Sequence, residues 1–262
     1  MFQKRRYDLI HAYYSLCGFL ARLQFKYPVV VTFLGSDILS TGGRGIISRD
    51  SFIGRLVARL VDVIIVRTEE MKRIAGRKDA YIIPSGVDTN IFMPYPKQQA
   101  RLELGFSLEE ELILFPWNPD RTEKRYDIVY KAIQILKKSF EKIRLVVIYN
   151  KSPELVAKYM NACDVLTLAS KYEGSPMAVR EALACGLPVV SVDVGDVAQL
   201  IEEIDGCYLC QRDAQDMAEK VGWVLEQDIR VDGEEKIRSM DTTWSARKIL
   251  EVYKNAIHSR KV

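Results

Sequence analysis

The stretch YEGSPMAVREALACGLPVVSV, residues 172–192, combines in order a loop, a short helix and a strand. Ser175 followed by Pro176 is typical of a helix start, with a side-chain cap and then proline at the first helical position. Gly186 and Pro188 are typical of the end of that helix. The apolar run that follows predicts a buried strand. The stretch therefore indicates an α/β fold with a loop at the mouth of a strand.

Similar apolar runs recur along the chain and alternate with amphipathic stretches. They are continuous rather than alternating, as expected for strands that are covered on both faces. Strand and helix in alternation predict βαβ units and a parallel sheet. The predicted strands lie at 29–34, 63–68, 80–84, 112–117, 144–149, 165–170, 187–192 and 207–210.

Two of the intervening stretches, 51–62 and 126–138, are predicted amphipathic helices. Their apolar sides consist of Phe52, Leu56, Val57 and Leu60 in the first helix, and of Val129, Ala132, Ile133 and Leu136 in the second.

A domain boundary is predicted near residues 84–99, where three prolines cluster with a glycine and an asparagine. We expect residues 1–92 to form a partial first lobe that residues 243–262 rejoin, and residues 93–242 to form a complete second lobe. The first lobe is thin for an independent domain, and its opening segment YDLIHAYY resembles a mid-sheet strand.

Composition favours an ordinary globular protein, with 262 residues and 48% hydrophobic residues. A net charge of +3 is too small to argue for nucleic acid as a partner. No run reaches the roughly 18 apolar residues of a membrane span, and no signal peptide is visible. We expect a cytoplasmic protein. The basic start at Lys4, Arg5 and Arg6 is either a solvated face or a weak attraction to anionic lipid at the inner membrane face.

Two glutamates in the opening stretch lie eight positions apart, Glu173 in the loop and Glu181 in the second helical turn. The amide N–H groups at the helix start between them favour an anion, above all a phosphate. This layout complements a nucleotide-sugar, because carboxylates bind the hydroxyls of a sugar and of a ribose. From spacing alone, two surface glutamates remain the commoner explanation.

Residues 172–201 resemble the donor-site signature of the family-4 retaining glycosyltransferases, which have the two-lobed GT-B fold. Segments similar to other motifs of that family are YIIPSGVDTNIFMP at 81–94, PDRTEKRYDIVYKAIQIL at 119–136 and TTWSARKILEVY at 242–253. The resemblance implies an α/β, GT-B-like fold with two Rossmann-like lobes. The C-terminal lobe would be complete with a parallel sheet, and the N-terminal lobe incomplete.

The resemblance also implies site residues. Glu173 would contact the transferred sugar and Lys124 would neutralise the diphosphate, with Arg121 as its helper, because Pro119 stands where the family usually has arginine. Glu181 would hold the ribose. The sugar and phosphate pocket would be lined by Gly174, Ser175, Pro176 and Met177.

The implied reaction transfers a sugar from a nucleotide-diphosphate-sugar to an acceptor hydroxyl of a glycan, lipid or small molecule, with retention at the anomeric carbon. The resemblance implies no cofactor and no metal ion, since cationic side chains and a helix start can stabilise the departing diphosphate. Cys207 and Cys210 form a lone C-x-x-C, which we interpret as two half-buried thiols on a strand.

The first lobe departs from the family pattern. Tyr13 stands where a histidine commonly lies near the reacting sugar, and we interpret His11 as a structural histidine. Ser36 and Asp37 are weak candidates for acceptor contacts. The glycine-rich segment at 40–48 is either a mobile loop over the cleft or a plain surface turn.

Three hypotheses follow from the short first lobe. The chain is a working glycosyltransferase, the donor-binding subunit of a split enzyme, or a truncated remnant that only binds nucleotide. Missing strands would leave a sheet edge and apolar surface exposed. Such a surface predicts self-association or a partner chain that completes the N-terminal sheet.

Overall fold

The protein is described from a computed structural model, which describes residues 7–39, 41–42, 46–47 and 49–259, with backbone only between 40 and 50. The first half contains β1 (Ile10–Tyr13), α1 (Ser15–Arg22), β2 (Val29–Thr32), α2 (Ser36–Leu39), β3 (Thr41–Gly42), β4 (Ile46–Ile47), α3 (Arg49–Leu60), β5 (Val63–Val66), α4 (Glu69–Ala75), β6 (Tyr81–Ile82) and α5 (Lys97–Leu104). The second half contains β7 (Glu111–Phe115), a 3₁₀ turn (Thr122–Lys124), α6 (Tyr126–Leu136), β8 (Ile143–Val147), α7 (Pro153–Ala162), β9 (Val165–Leu168), α8 (Met177–Ala184), β10 (Val189–Val192), α9 (Val197–Ile201), β11 (Tyr208–Cys210), α10 (Ala214–Gln227), α11 (Glu234–Arg238) and α12 (Thr242–His258).

The chain divides into two compact units. Unit 1 contains residues 1–85, 172–175 and 243–262, and unit 2 contains residues 86–171 and 176–242. The last helix, α12, thus belongs with the beginning of the chain, as does the four-residue segment 172–175.

Unit 2 is built on a parallel five-stranded sheet with the order β11-β10-β9-β7-β8. Every residue of β9 and β10 is buried, because helices cover the sheet on both faces. Helix α6 packs on α10, while α7 packs on α5 and α8. One large apolar core joins these layers. The carboxyl ends of all five strands meet at the same edge of the sheet.

Unit 1 is built on a parallel four-stranded sheet with the order β1-β2-β5-β6. Successive residues of β2 point to opposite faces. Val29 and Val31 pack in the cluster that contains Val57 of α3, and Val30 packs in the cluster that contains Val252 of α12. Both faces of this sheet are therefore covered by helices of unit 1.

Helices α1 and α3 contact each other and leave a large apolar surface exposed. We call this surface the α1/α3 face. Its side chains are between 38% and 63% exposed, so they lie on the surface and not at the border of the core. The α1/α3 face consists of Leu16, Phe19, Leu20, Leu23, Phe52, Leu56 and Leu60.

The predicted strands are confirmed. All eight runs contain a strand of the structure, with ends shifted by one or two residues. The predicted inward side of the helix at 126–138 is also confirmed, since its four apolar residues are buried in α6. The segment at 7–14 forms a strand, but β1 pairs only with β2 and is an edge strand among the described residues rather than a mid-sheet strand.

The predicted inward side of the helix at 51–62 is wrong. Only Val57 of its four residues is buried, while Phe52, Leu56 and Leu60 are exposed. Helix α3 instead faces inward through Gly54, Val57 and Ala58, and Val61 is buried directly after its end. A Cβ atom at Gly54 would lie 2.2 Å from the backbone O of Asp37, so α3 approaches α2 too closely for a bulky residue there. The stripe with the largest side chains is therefore not the stripe that packs.

Within the part of the chain that the structure describes, we find no helix that is both long and apolar enough to cross a bilayer. The predicted loop at 40–48 and the basic residues at 4–6 lie largely outside the described residues, and their roles stay predictions.

Candidate functional site

Lys124 lies at the carboxyl edge of the unit 2 sheet, in the 3₁₀ turn that follows β7. Its side chain is buried, and Nζ lies 4.9 Å from the centre of the Trp117 ring. Trp117 in turn packs edge-on against Phe115 at the end of β7. A cation over an indole face is attracted by the electrons of the ring. This turn therefore fixes a positive charge at the edge where ligands of parallel α/β sheets bind.

Arg121, the predicted helper of Lys124, precedes the same turn. Its guanidinium bonds Glu123 at 2.7 Å, and its side chain is 55% exposed. The backbone N–H of Lys124 donates to the Arg121 carbonyl at 2.9 Å, which closes the turn. Arg121 thus lies in the same turn as Lys124, but its guanidinium is paired with the carboxylate of Glu123.

The loop after β9 is anchored within unit 2 by two neighbouring loops. The Lys171 N–H donates to the Glu123 carbonyl at 2.8 Å. On the other side, Arg212 Nη2 donates to the carbonyls of Ser170 at 3.0 Å and Lys171 at 3.3 Å. The loops after β7, β9 and β11 are therefore tied together just before the segment that contains Glu173.

Helix α8 begins later than the sequence indicated. Pro176 is its N-cap residue and makes no side-chain cap bond, and Met177 is its first residue, so the predicted start with Ser175 as the N-cap residue is wrong. The Val179 N–H donates to the Pro176 carbonyl at 3.2 Å, whereas Met177 and Ala178 precede the first carbonyl that the helix could offer them. Gly186, at φ 69°, ends the helix as predicted. The first amides of α8 therefore lie at a helix start, which favours an anion.

Glu181 lies in the second turn of α8, and the structure brings no hydrogen bond or ion pair to its carboxylate from the described residues. Burial raises the pKa of Glu181 to about 7. A half-buried acid without a cation partner costs free energy when it ionises. Such a group is expected where a ligand supplies the missing hydrogen bonds.

Arg180, adjacent to Glu181, is held by a buried ion pair with Asp196 of the loop after β10. Its Nη1 also lies 3.7 Å from the sulfur of Met240. Arg180 is therefore committed to packing α8 against its neighbours, and the cation next to Glu181 in sequence does not neutralise it.

The segment 172–175 packs within unit 1 against the loop after β2. A Cβ at Gly174 would lie 2.5 Å from the Leu34 carbonyl, and a Cβ at Gly35 would lie 2.9 Å from the Gly174 N. Gly35 also has φ 128°, which favours glycine. Two glycines therefore allow two backbones to touch directly beside Glu173.

The side chain of Asp37 stabilises the loop after β2. Its carboxylate accepts hydrogen bonds from the backbone N–H groups of Leu34 and Gly35 at 3.1 Å and of Ser15 at 3.2 Å. Burial raises the pKa of Asp37 although these bonds favour its charged form. Ser36, by contrast, is exposed at the first position of α2. A role of either residue in binding the acceptor stays a prediction.

The His11 ring is held by two side chains of unit 1, and its structural role stays a prediction. Its ring nitrogens lie 2.6 Å from the Tyr253 hydroxyl and 2.8 Å from Thr32 Oγ1. Burial and the nearby charge of Arg67 lower the pKa of His11, which keeps it neutral near pH 7. Tyr13 is half exposed at the end of β1, and its ring centre lies 4.6 Å from that of His11.

The structure places Lys124, Arg121, Pro176, Met177 and Glu181 in unit 2, at or near the carboxyl edge of its sheet. It places Glu173, Gly174, Ser175, Tyr13, Ser36 and Asp37 in unit 1. Sequence reasoning missed Trp117 and Arg212. Both residues follow strands of the sheet, and this position in the sequence could have indicated them, because loops after parallel strands meet at one edge.

A family model described as Glycosyl transferases group 1 matches residues 130–227. Two curated bacterial relatives are similar to this chain. N-acetyl-alpha-D-glucosaminyl L-malate synthase of Bacillus anthracis is 22% identical over 240 residues, 80% of this chain and 62% of the relative. The putative teichuronic acid biosynthesis glycosyltransferase TuaC of Bacillus subtilis is 25% identical over 239 residues, 82% of this chain and 60% of the relative.

Solved structures share the fold. Sucrose-phosphate synthase from Thermosynechococcus elongatus has a TM-score of 0.80 at 18% identity, over 97% of this chain and 74% of that one. Anabaena HepE, solved with UDP and glucose, has a TM-score of 0.79 at 18% identity, over 95% and 78%. This chain spans about three fifths of the length of the two curated relatives. The chain is thus similar to group 1 glycosyltransferases in sequence, and it shares the GT-B fold of the solved structures.

Proposed function

We propose that this chain transfers a sugar from a nucleotide-diphosphate-sugar to an acceptor hydroxyl, with retention at the anomeric carbon. The observation that carries the proposal is the carboxyl edge of the unit 2 sheet. It combines a buried cation at Lys124, the amides at the start of α8 and a carboxylate at Glu181 to which no described residue is hydrogen-bonded or ion-paired. These groups match the diphosphate and the ribose of a nucleotide donor.

Each group has one role in this proposal. Lys124 and the first amides of α8 neutralise the diphosphate as the bond to the sugar breaks, so no metal ion is needed. Glu181 accepts hydrogen bonds from the ribose hydroxyls. Glu173 contacts the transferred sugar, and Gly174, Ser175 and Met177 line its pocket.

The comparisons support a nucleotide-sugar as the donor. HepE of Anabaena, which shares the fold, has been crystallised with UDP-glucose. The curated relatives of the chain include glycosyltransferases named for different acceptors, among them D-inositol 3-phosphate. Donor chemistry is thus the part of the activity that we extend to this chain.

The test is a thermal-shift panel of uridine, guanosine and adenosine diphosphates and their sugars. We expect one nucleoside diphosphate to raise the melting temperature, because a ligand that binds only the folded state stabilises it. EDTA should leave that shift unchanged. If no member of the panel binds, the proposed function is wrong.

A further inference from the structure

We infer that Arg212 is a positioning residue of the donor site, which acts by holding the loop that leads into Glu173. The inference rests on the proposed function. Arg212 follows β11, two strands away from β9, and its Nη2 bonds the carbonyls of Ser170 and Lys171. These are the last residues of unit 2 before the segment 172–175.

The anchoring of this loop depends on its main chain. Ser170 is fully buried, but its Oγ has no hydrogen-bond partner among the described residues. Its side chain therefore does not fix the loop. Its main chain accepts bonds from Arg212 at two consecutive carbonyls, and its Lys171 N–H donates to the Glu123 carbonyl.

The two sets of bonds have different consequences. The bond to Glu123 joins the loop to the turn of Lys124. The bonds from Arg212 restrain the Ser170 carbonyl of the same peptide unit and the Lys171 carbonyl of the next one. Together they fix the direction in which the chain leaves β9. Glu173 follows Lys171 by two residues, so an error in that direction displaces its carboxylate.

Arg230 offers a matched control in the same unit. Its guanidinium also donates to two consecutive carbonyls, those of Met160 and Asn161. These carbonyls lie at the end of α7, before β9, whereas those of Arg212 lie after β9. Arg230 thus holds the opposite end of the same strand, away from the candidate site.

The experiment measures UDP release from UDP-glucose, or from the nucleotide-sugar that the thermal-shift panel identifies, in the wild-type chain and in Arg212→Ala. We expect kcat to fall by about ten- to a hundredfold, as for a reacting group displaced by a fraction of an ångström to an ångström. The Kd of the free nucleotide should stay within about twofold, because the nucleotide contacts remain.

Two further variants separate positioning from charge and from stability. Arg212→Lys keeps the charge but not the planar fork, and we expect it to lose as much kcat as the alanine variant. Arg230→Ala should lower the melting temperature and leave kcat at folded temperatures nearly unchanged. A fully active Arg212→Ala, or recovery of kcat in Arg212→Lys, would overturn the inference.

Hydrogen exchange distinguishes failure of this inference from failure of the proposed function. The peptide that contains residues 169–174 should exchange faster in Arg212→Ala and unchanged in Arg230→Ala. Unchanged exchange in Arg212→Ala would refute the restraint itself, whatever the chain binds. Faster exchange in a chain that binds no nucleotide would refute the donor site and leave only a structural restraint.

Discussion

Helices cover the sheets of both units, but the two units differ in how much apolar helix surface they leave exposed. In unit 2 the helices turn their apolar residues to the sheet, and its exposed apolar side chains are scattered, as Leu102, Tyr130 and Leu209 are. In unit 1 the helices α1 and α3 also cover the sheet, yet their outer surface is the α1/α3 face. Unit 2 therefore buries its own apolar residues, and unit 1 leaves a surface that suits a further layer.

The difference follows from where the small residues lie. Gly18 of α1 sits so close to the sheet that a Cβ would lie 2.6 Å from Cγ2 of Val31. Gly54 plays the same part in α3. These glycines bring the helix backbones to the core, so the leucines and phenylalanines between them point elsewhere. Apolar residues on both sides of a helix indicate two packed layers.

The largest expected effect concerns the buried ion pair between Arg180 and Asp196 in unit 2. Arg180→Ala removes the cation of the buried ion pair with Asp196 and should lower the free energy of unfolding by about 3–5 kcal/mol. Chemical denaturation followed by circular dichroism measures the change. Lys248→Ala, which removes an exposed pair with Glu251 on α12 of unit 1, should cost less than about 0.5 kcal/mol. If Arg180→Ala lowered the free energy of unfolding as little as Lys248→Ala does, the ion pair in unit 2 would not stabilise the fold.

The next largest effect concerns Glu173, which packs in unit 1 although it follows a strand of unit 2. Glu173→Gln should lower turnover of the donor by at least about a hundredfold, as for loss of a charged contact in the transition state. Nucleotide affinity, measured by calorimetry, should hardly change. Glu226→Gln, an exposed change on α10, is the control. Full turnover in Glu173→Gln would reject its assigned role.

Much of unit 2 could be predicted from sequence because its signals agree with one another. Continuous apolar runs became buried parallel strands, and the stripe of Val129, Ala132, Ile133 and Leu136 became the inner side of α6. The placement of Lys124 and Glu181 near one sheet edge also follows from the order of strands and loops. In this unit, hydrophobic pattern and backbone geometry indicate the same structure.

The misjudged features depend on contacts that a local pattern does not encode. The inner side of α3 was assigned to its largest residues, whereas the glycine at 54 decides which side approaches α2. The bonds of Arg212 to the loop after β9 join residues that lie 42 and 41 positions apart in sequence. The start of α8 was shifted because proline served as the cap rather than as the first helical residue.

Glu181 links stability to function within unit 2. Its pKa is raised from about 4.5 to about 7, so the folded state opposes its ionisation. The resulting loss of stability is absent below pH 4.5, grows as the pH rises to 7 and is constant above it. Glu181→Gln should therefore stabilise the chain at pH 8 by about 1–3 kcal/mol.

The same substitution should weaken nucleotide binding, because the carboxylate is replaced by a weaker acceptor. Melting temperatures at pH 5 and pH 8, with and without nucleotide, measure both effects. The stability gain should be nearly absent at pH 5. A gain of equal size at both pH values would mean that ionisation of Glu181 is not its cause.

The smallest change in folding free energy is expected at the α1/α3 face, where the comparison between the units is sharpest. Leu20→Glu with Leu56→Glu removes two exposed apolar side chains, so the free energy of unfolding should change by less than about 0.5 kcal/mol per site. The wild-type chain should associate as its concentration rises, and the double variant should stay monomeric, because the charges oppose burial of this surface. Leu102→Glu, at an isolated exposed leucine of α5, should associate like the wild type. Light scattering after size exclusion measures all three masses, and a wild-type chain that stays monomeric would show that unit 1, like unit 2, needs no further layer.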